Sequence, residues 1–162
     1  MPVVIRPAQP SDATAIVELT RELGYEVDAA AASDRLSRIL TSHDQQFLVA
    51  AANGRTVGWI HVLRSEYVES DTCAVIGGLV VDRSHRRQGV GRLLLQAAEA
   101  WARHEGCPIV RLSSSSSRTD AHRFYERLGY TNLKTQYAFV KPVAETPQDL
   151  RRLIPRVEPS SR

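Results

Sequence analysis

Arg86-Arg87-Gln88-Gly89-Val90-Gly91-Arg92 lies between an apolar run and an amphipathic one. A loop that enters a helix presents several main-chain N–H groups without intrahelical acceptors, and the helix dipole adds about half a positive charge there. Gly89 and Gly91 have no Cβ, so an anion can come close to the main chain. Arg83, Arg86, Arg87 and Arg92, with His85 among them, surround that place with positive charge. The segment suits a pyrophosphate; an ordinary strand-to-helix turn with a basic face is the alternative. The dinucleotide fingerprint requires a third glycine where Leu94 stands, and the Walker loop requires Gly-Lys-Ser or Gly-Lys-Thr, so neither applies.

The second chemical segment is Ala121-His122-Arg123-Phe124-Tyr125-Glu126-Arg127-Leu128-Gly129-Tyr130. Positions 121, 124, 125 and 128 share one helix face, with Gly129 as a stop. On that face Tyr125 reads as core packing, with Gly129 as the C-cap.

The elements that would position these segments can be read from periodicity. Residues 3–5 form a short β-branched strand, and Ser11 or Asp12 offers an N-cap to a helix through Ile16, Val17 and Leu23. A second helix is predicted over 33–41. Residues 47–52 and 56–63 flank Asn53-Gly54, a strong signal for a type I′ hairpin. The acidic stretch 64–72 reads as a connection. It leads to an apolar strand over 73–81, interrupted by Gly77-Gly78 in the manner of a bulge or a close approach. Val90, Leu93, Leu94, Ala97, Ala98 and Trp101 mark a helix ending near Gly106. A strand at 109–112, a polar exit through Ser113 to Ser117, a helix over 121–128 and a final strand at 135–141 complete the pattern. This order argues for an α/β sheet with helices on both faces.

The chain has 162 residues and 18.0 kDa, with 43% hydrophobic and 24% charged residues, which fits one domain able to bury a core. Residues 1–143 read as that domain and 144–162 as a tail with a different composition. The net charge of +3 allows an anionic ligand, but the broad positive surface and interleaved aromatics of a nucleic-acid binder are missing. No apolar run is long enough to span a bilayer and no signal peptide is visible, so a cytoplasmic location is expected. Cys73 and Cys107 lack disulfide or metal-ligand spacing, and no metal site is expected.

Arg86-x-x-Gly89-x-Gly91, followed after about 30 residues by Ala121-x-x-Phe124-Tyr125-x-x-x-Gly129-Tyr130, closely resembles the GNAT acetyltransferase superfamily over residues 3–142. The resemblance implies a mixed, mostly antiparallel sheet of six to seven strands with about four helices on both faces, splayed between strands four and five. It also implies acetyl-CoA as cofactor. Main-chain groups of Leu79, Val80 and Val81 would pair with the pantetheine arm and polarise the thioester carbonyl. The loop Arg86, Arg87, Gln88, Gly89, Val90, Gly91 and Arg92 would hold the pyrophosphate. Ser114 would hydrogen-bond the pantetheine, and Tyr125 would be the general acid for the departing thiolate.

The activity implied is direct acetyl transfer to a primary amine of a small molecule, in the manner of bacterial enzymes including aminoalkylphosphonate acetyltransferases, with aminoglycoside and protein-terminus acetylation as further possibilities and a homodimer as the expected assembly. A non-catalytic acyl-CoA-binding sensor or partner subunit is the alternative. The sequence departs from the family in two places. Val75 stands close to where some relatives carry a basic Glu on the fourth strand, and Arg118 replaces a frequent Asn. The general base is thus unassigned. Glu66, Glu69 and Asp71 either line the acceptor entrance or are simply solvated, and His61 and His122 are further candidates for the base, with a surface or core histidine as the alternative for each.

Overall fold

The computed structural model describes residues 2–139, 141 and 143. Its sheet has five strands, β1 (Val4–Pro7), β2 (Gln45–Ala52), β3 (Arg55–Tyr67), β4 (Ser70–Val81) and β5 (Ile109–Leu112), ordered as in the sequence. Neighbours are antiparallel except β4 and β5, which run parallel. The helices are α1 (Ala13–Arg21), α2 (Ala29–Leu40), α3 (Val90–His104) and α4 (Thr119–Arg127), with short 3-10 turns at Pro10–Asp12 and Arg83–His85.

Period-two alternation along β2, β3 and β4 divides the core between the two faces of the sheet. Leu48, Ala50, Ile60, Val62, Ala74 and Ile76 meet Val90, Leu94, Leu95 and Ala98 of α3 on one face. Phe47, Val49, Trp59 and Val80 meet Ile16, Leu19 and Leu36 of α1 and α2 on the other. The expected α/β layering with helices on both faces is what the chain adopts. The β2–β3 turn also follows its sequence signal: Asn53 and Gly54 have φ of 51° and 74°, both positive as a type I′ turn requires.

Several expectations are corrected. Among the described residues the sheet has five strands, not six to seven. Among the described residues the stretch expected as a final strand forms none, and Tyr137 and Phe139 are 91% and 92% exposed. Strand propensity is a preference for a half-buried pleated surface, and this stretch has no such surface beneath it. The acidic stretch 64–72 is no connecting loop but the tip of a second hairpin, with Ser65 opposite Cys73 and Tyr67 opposite Ser70. Polar cross-strand contacts replace apolar alternation there: Glu66 accepts from Arg64 Nη2 at 2.5 Å and from Thr72 Oγ1 at 2.8 Å. Helix α2 starts before the expected position because Asp28 caps it, accepting from the Ala31 N–H at 2.8 Å.

Asp12 precedes α1 but does not cap it. Its carboxylate is buried (6% exposed) and takes a forked pair of bonds from Arg6 at 2.7 and 2.9 Å, one from Thr56 Oγ1 at 2.7 Å and one from the Gln9 N–H at 2.8 Å. One carboxylate thereby ties β1, the turn before α1 and β3 together.

Candidate active site

Strand β5 pairs with β4 only from Cys73 to Ile76. The next residue, Gly77, is the extra one in a bulge, since His61 faces Gly78 while Val62 faces Ile76. Gly78 must lack a side chain, because a Cβ there would lie 2.8 Å from the Trp59 ring. Past the bulge, β4 keeps β3 as its neighbour and has no β5 partner. The splay expected between the fourth and fifth strands is therefore present.

The direction of the main chain along this free edge follows from one bond. The Asp82 N–H donates to the Val57 carbonyl at 2.9 Å, so by antiparallel alternation the main-chain groups of Val80 face β3 and those of Leu79 and Val81 face away from it. Val81 confirms the alternation by accepting from Arg86 Nε at 3.0 Å. Val80 buries its side chain under α1 and α2 (3% exposed), so of the three expected strand contacts only Leu79 and Val81 offer main-chain groups to the gap.

Beside the gap, the chain turns into α3. Gly89 is the N-cap, in the left-handed region at φ 84°, and no side chain caps the helix. Arg87, two residues earlier, also has positive φ, at 61°. The first-turn amides of Val90, Gly91 and Arg92 have no intrahelical acceptors, which leaves an anion seat of the kind described above. The two glycines serve different needs. Gly89 supplies the left-handed turn, whereas a Cβ on Gly91 would come within 3.1 Å of the Phe124 ring and 3.7 Å of Val81 Cγ2.

The basic side chains of the loop also divide. Arg86 donates to Val81 and, through Nη2, to Glu22 at the end of α1 at 2.9 Å. Gln88 donates to the Ser84 carbonyl at 2.8 Å. Both brace the loop. Arg87 and Arg92 are exposed and have no ion pair among the described residues, so they are the charges open to a ligand. Glu22 was not legible as part of this site; only a carboxylate at the end of the first helix hinted at it.

Helix α4 supplies Tyr125. Its C-terminal turn is closed by the Tyr130 N–H donating to the Tyr125 carbonyl at 3.1 Å and the Gly129 N–H donating to Glu126 at 3.0 Å. Tyr125 packs on the α3-side core between Phe124 and Tyr130, with ring centroids 5.3 and 5.9 Å away. The ring is core, as its helix face predicts, and the hydroxyl has no hydrogen-bond partner among the described residues. Burial raises the phenol above its ordinary 10, with Arg118 opposing, so it carries its proton at neutral pH. Its neighbour Tyr130 is committed instead, donating to Glu99 at 2.9 Å.

Ser114, two residues past β5, has a buried Oγ with no hydrogen-bond partner among the described residues. Buried hydroxyls are ordinarily satisfied, so this one, just past the end of β5, is free to bond a polar ligand group. A thioester coenzyme fits what is present: unpaired strand edge, unpartnered hydroxyl and uncapped helix end stand in sequence along β4, β5 and α3. Among the described residues no group of His, Cys, Asp or Glu side chains is arranged to hold a metal.

The candidate bases fall in different places. His122 donates from Nε2 to the Ser115 carbonyl at 2.9 Å. Glu66 is engaged with Arg64 and Thr72, and Glu69 and Asp71 are exposed on the hairpin tip. His61 lies on the α1/α2 face, hydrogen-bonded through Nε2 to Gln45 at 2.8 Å and stacked on Phe47 at 5.5 Å. Gln45 gave no sequence signal.

Residues 13–130 match the family model described as Acetyltransferase (GNAT) family. The aminoglycoside N(6′)-acetyltransferase type 1 of Stenotrophomonas maltophilia is 34% identical, covering 86% of this chain and 93% of that one. The aminoalkylphosphonate N-acetyltransferase of Salmonella typhimurium is 33% identical, covering 87% and 92%. Among solved structures, the aminoglycoside acetyltransferase AAC(6′)-Iy with a CoA bisubstrate analog superposes with a TM-score of 0.80 at 21% identity, over 88% of this chain and 99% of that one, which shows the shared fold. A strand pair that opens after Ile76, an uncapped α3 and a match spanning most of the sequence converge on one assignment: the chain belongs to the GNAT acetyltransferase family.

Proposed function

We propose that this enzyme transfers acetyl from acetyl-CoA directly to the primary amine of a small molecule. The observation that carries the reading is the free edge of β4 at Leu79 and Val81 beside the uncapped start of α3. The amides of Gly89 to Arg92, with Arg87 and Arg92, would hold the diphosphate; Ser114 and the β4 edge would hold the pantetheine arm. Acetyl-CoA supplies the activated acyl group. A Leu79 N–H turned into the gap is placed to favour developing negative charge on a carbonyl oxygen, an effect often worth about 3 kcal/mol. Tyr125 holds the proton that a departing sulfur needs; a thiol pKa of about 8.5 makes that demand modest. Two relatives act on amines by name, an aminoglycoside and an aminoalkylphosphonate. Both compounds belong in the first substrate panel.

Residues 1–143 are proposed as the catalytic domain, with 144–162 as an appended tail outside the described residues. We place the enzyme in the cytoplasm as a homodimer. Two free, buried cysteines fit a reducing compartment, and no helix among the described residues is long and apolar enough to cross a membrane. Light scattering tests the dimer. Release of free thiol from acetyl-CoA across an amine panel tests the activity: turnover with at least one amine supports the transferase, and tight coenzyme binding without turnover supports the acyl-CoA sensor.

A further inference from the structure

We propose that His61 Nδ1 accepts the proton released by the acceptor amine, and that Gln45 positions it by fixing the imidazole tautomer. This rests on the acetyltransferase reading above and supplies the base that β4 lacks.

The geometry has three parts. His61 stands opposite Gly78 across the β3–β4 ladder, one residue from the bulge and level with the start of the free β4 edge. Its Nε2 meets Gln45 Oε1 at 2.8 Å; an amide oxygen only accepts, so Nε2 carries the hydrogen and Nδ1 keeps a bare lone pair. That lone pair faces Gly77, where a Cβ would lie 3.1 Å from Nδ1, and Gly77 is exposed. The missing side chain is what leaves Nδ1 accessible. Gln45 and Phe47, which hold the ring, also line a cleft of about 400 Å³ between Pro7–Pro10 and the end of α2.

Placement on the sheet gives the two proton carriers separate sides. Ile60 and Val62 point into the α3-side core on which Tyr125 packs, whereas His61 stacks on Phe47 of the opposite core. An amine arriving from the α1/α2 side would meet the thioester at the strand edge with the imidazole behind it. The amine nitrogen bonds to the carbonyl carbon and becomes positively charged; its proton passes to Nδ1, the C–S bond breaks, and the sulfur leaves with the Tyr125 proton. Solvent then takes the proton from His61 and restores the one on Tyr125.

Gln45 and Phe47 of β2 and Gly77 of β4 lie against the ring, and Ile16, Leu19 and Leu36 of α1 and α2 are buried with Phe47 on the same face of the sheet. None ionises. Burial alone lowers the His61 pKa from its usual 6.5, so the imidazole is neutral and able to accept at physiological pH.

The test compares wild type, His61→Asn, Gln45→Leu and Gly77→Ala in kcat/KM against pH, acetyl-CoA affinity and the imidazole 15N spectrum. Expected are a loss of about 100-fold or more in kcat/KM for His61→Asn with coenzyme affinity kept, and disappearance of the acidic limb of the profile. In wild type the nitrogen spectrum should show hydrogen on Nε2 alone, and in Gln45→Leu a mixture of tautomers with a smaller rate loss. Gly77→Ala, which covers Nδ1, should slow turnover without loosening coenzyme. Should His61→Asn not fold, the other two variants and the spectrum decide. Wild-type rate and acidic limb in His61→Asn, or a hydrogen on Nδ1 in wild type, overturns the proposal alone; a wild type that binds acetyl-CoA and acetylates no amine defeats the proposed function with it.

Discussion

Arg86 donates through Nε to the Val81 carbonyl oxygen at 3.0 Å, fastening the anion loop to the end of the splayed strand. The same guanidinium reaches Glu22 at 2.9 Å, so the end of α1 braces the loop from the other side. Arg86 holds the loop, whereas Arg87 and Arg92 are proposed to act on the coenzyme by charge.

Substitutions should separate those roles. Arg87→Ala and Arg92→Ala should weaken acetyl-CoA binding more at low salt than at high salt, because exposed charges are screened. Arg86→Ala should weaken it with little salt dependence. Glu22→Gln alone should have a small effect, since partly exposed ion pairs contribute about 1 kcal/mol or less. Calorimetry at two ionic strengths checks all four; equal salt dependence for Arg86 and Arg87 would count against the division.

The two loop glycines should fail differently. Gly89→Ala forces a side chain into a left-handed conformation, at a cost of about 1 kcal/mol, and should lower the melting temperature modestly. Gly91→Val drives its side chain into the Phe124 ring. Phe124→Leu should recover part of the loss in Gly91→Val and none of that in Gly89→Ala, as thermal melts of the single and double variants would show.

Tyr125→Phe should leave stability nearly unchanged, because the hydroxyl has no partner among the described residues to lose. Its kcat should fall by about 100-fold, the lower end of the range for proton transfer, while acetyl-CoA affinity holds. A large drop in melting temperature would mean that the hydroxyl is structural.

Asp12 makes stability depend on acid. Hydrogen bonding from Arg6, then from Thr56 and the Gln9 N–H, outweighs burial and lowers its pKa to about 2 from 3.8. The folded state thus binds this proton less readily than the unfolded one. The stabilisation, roughly 2 kcal/mol for a shift of this size, is complete above pH 3.8 and is lost as pH falls through about 2. Asp12→Asn should lower the melting temperature at pH 7 and flatten its fall below pH 4; an unchanged acid profile would contradict the assignment.

What the sequence disclosed and what it hid divide along the range of the interactions. Asn53-Gly54, the α3 stripe and Ile109–Leu112 are local signals, and each element formed where it was expected. The bulge at Gly77 was visible as a glycine pair, but the reason for Gly78, the Trp59 ring above it, comes from a neighbouring strand. Glu22, Gln45 and Asp12 act across separations that periodicity does not encode. The hairpin tip at 64–72 was hidden because its polar pairs mimic a loop, and the strand expected at 135–141 has no surface to pack on among the described residues.

Amide NMR of the uniformly 15N-labelled chain, titrated with acetyl-CoA, tests the anion seat most directly. The account predicts saturable shifts of the Gly89, Val90, Gly91 and Arg92 amides, reproduced more weakly by inorganic pyrophosphate and abolished in Gly89→Glu. Saturation of the coenzyme with those four resonances unmoved, and shifts gathered elsewhere on the sheet, would contradict it.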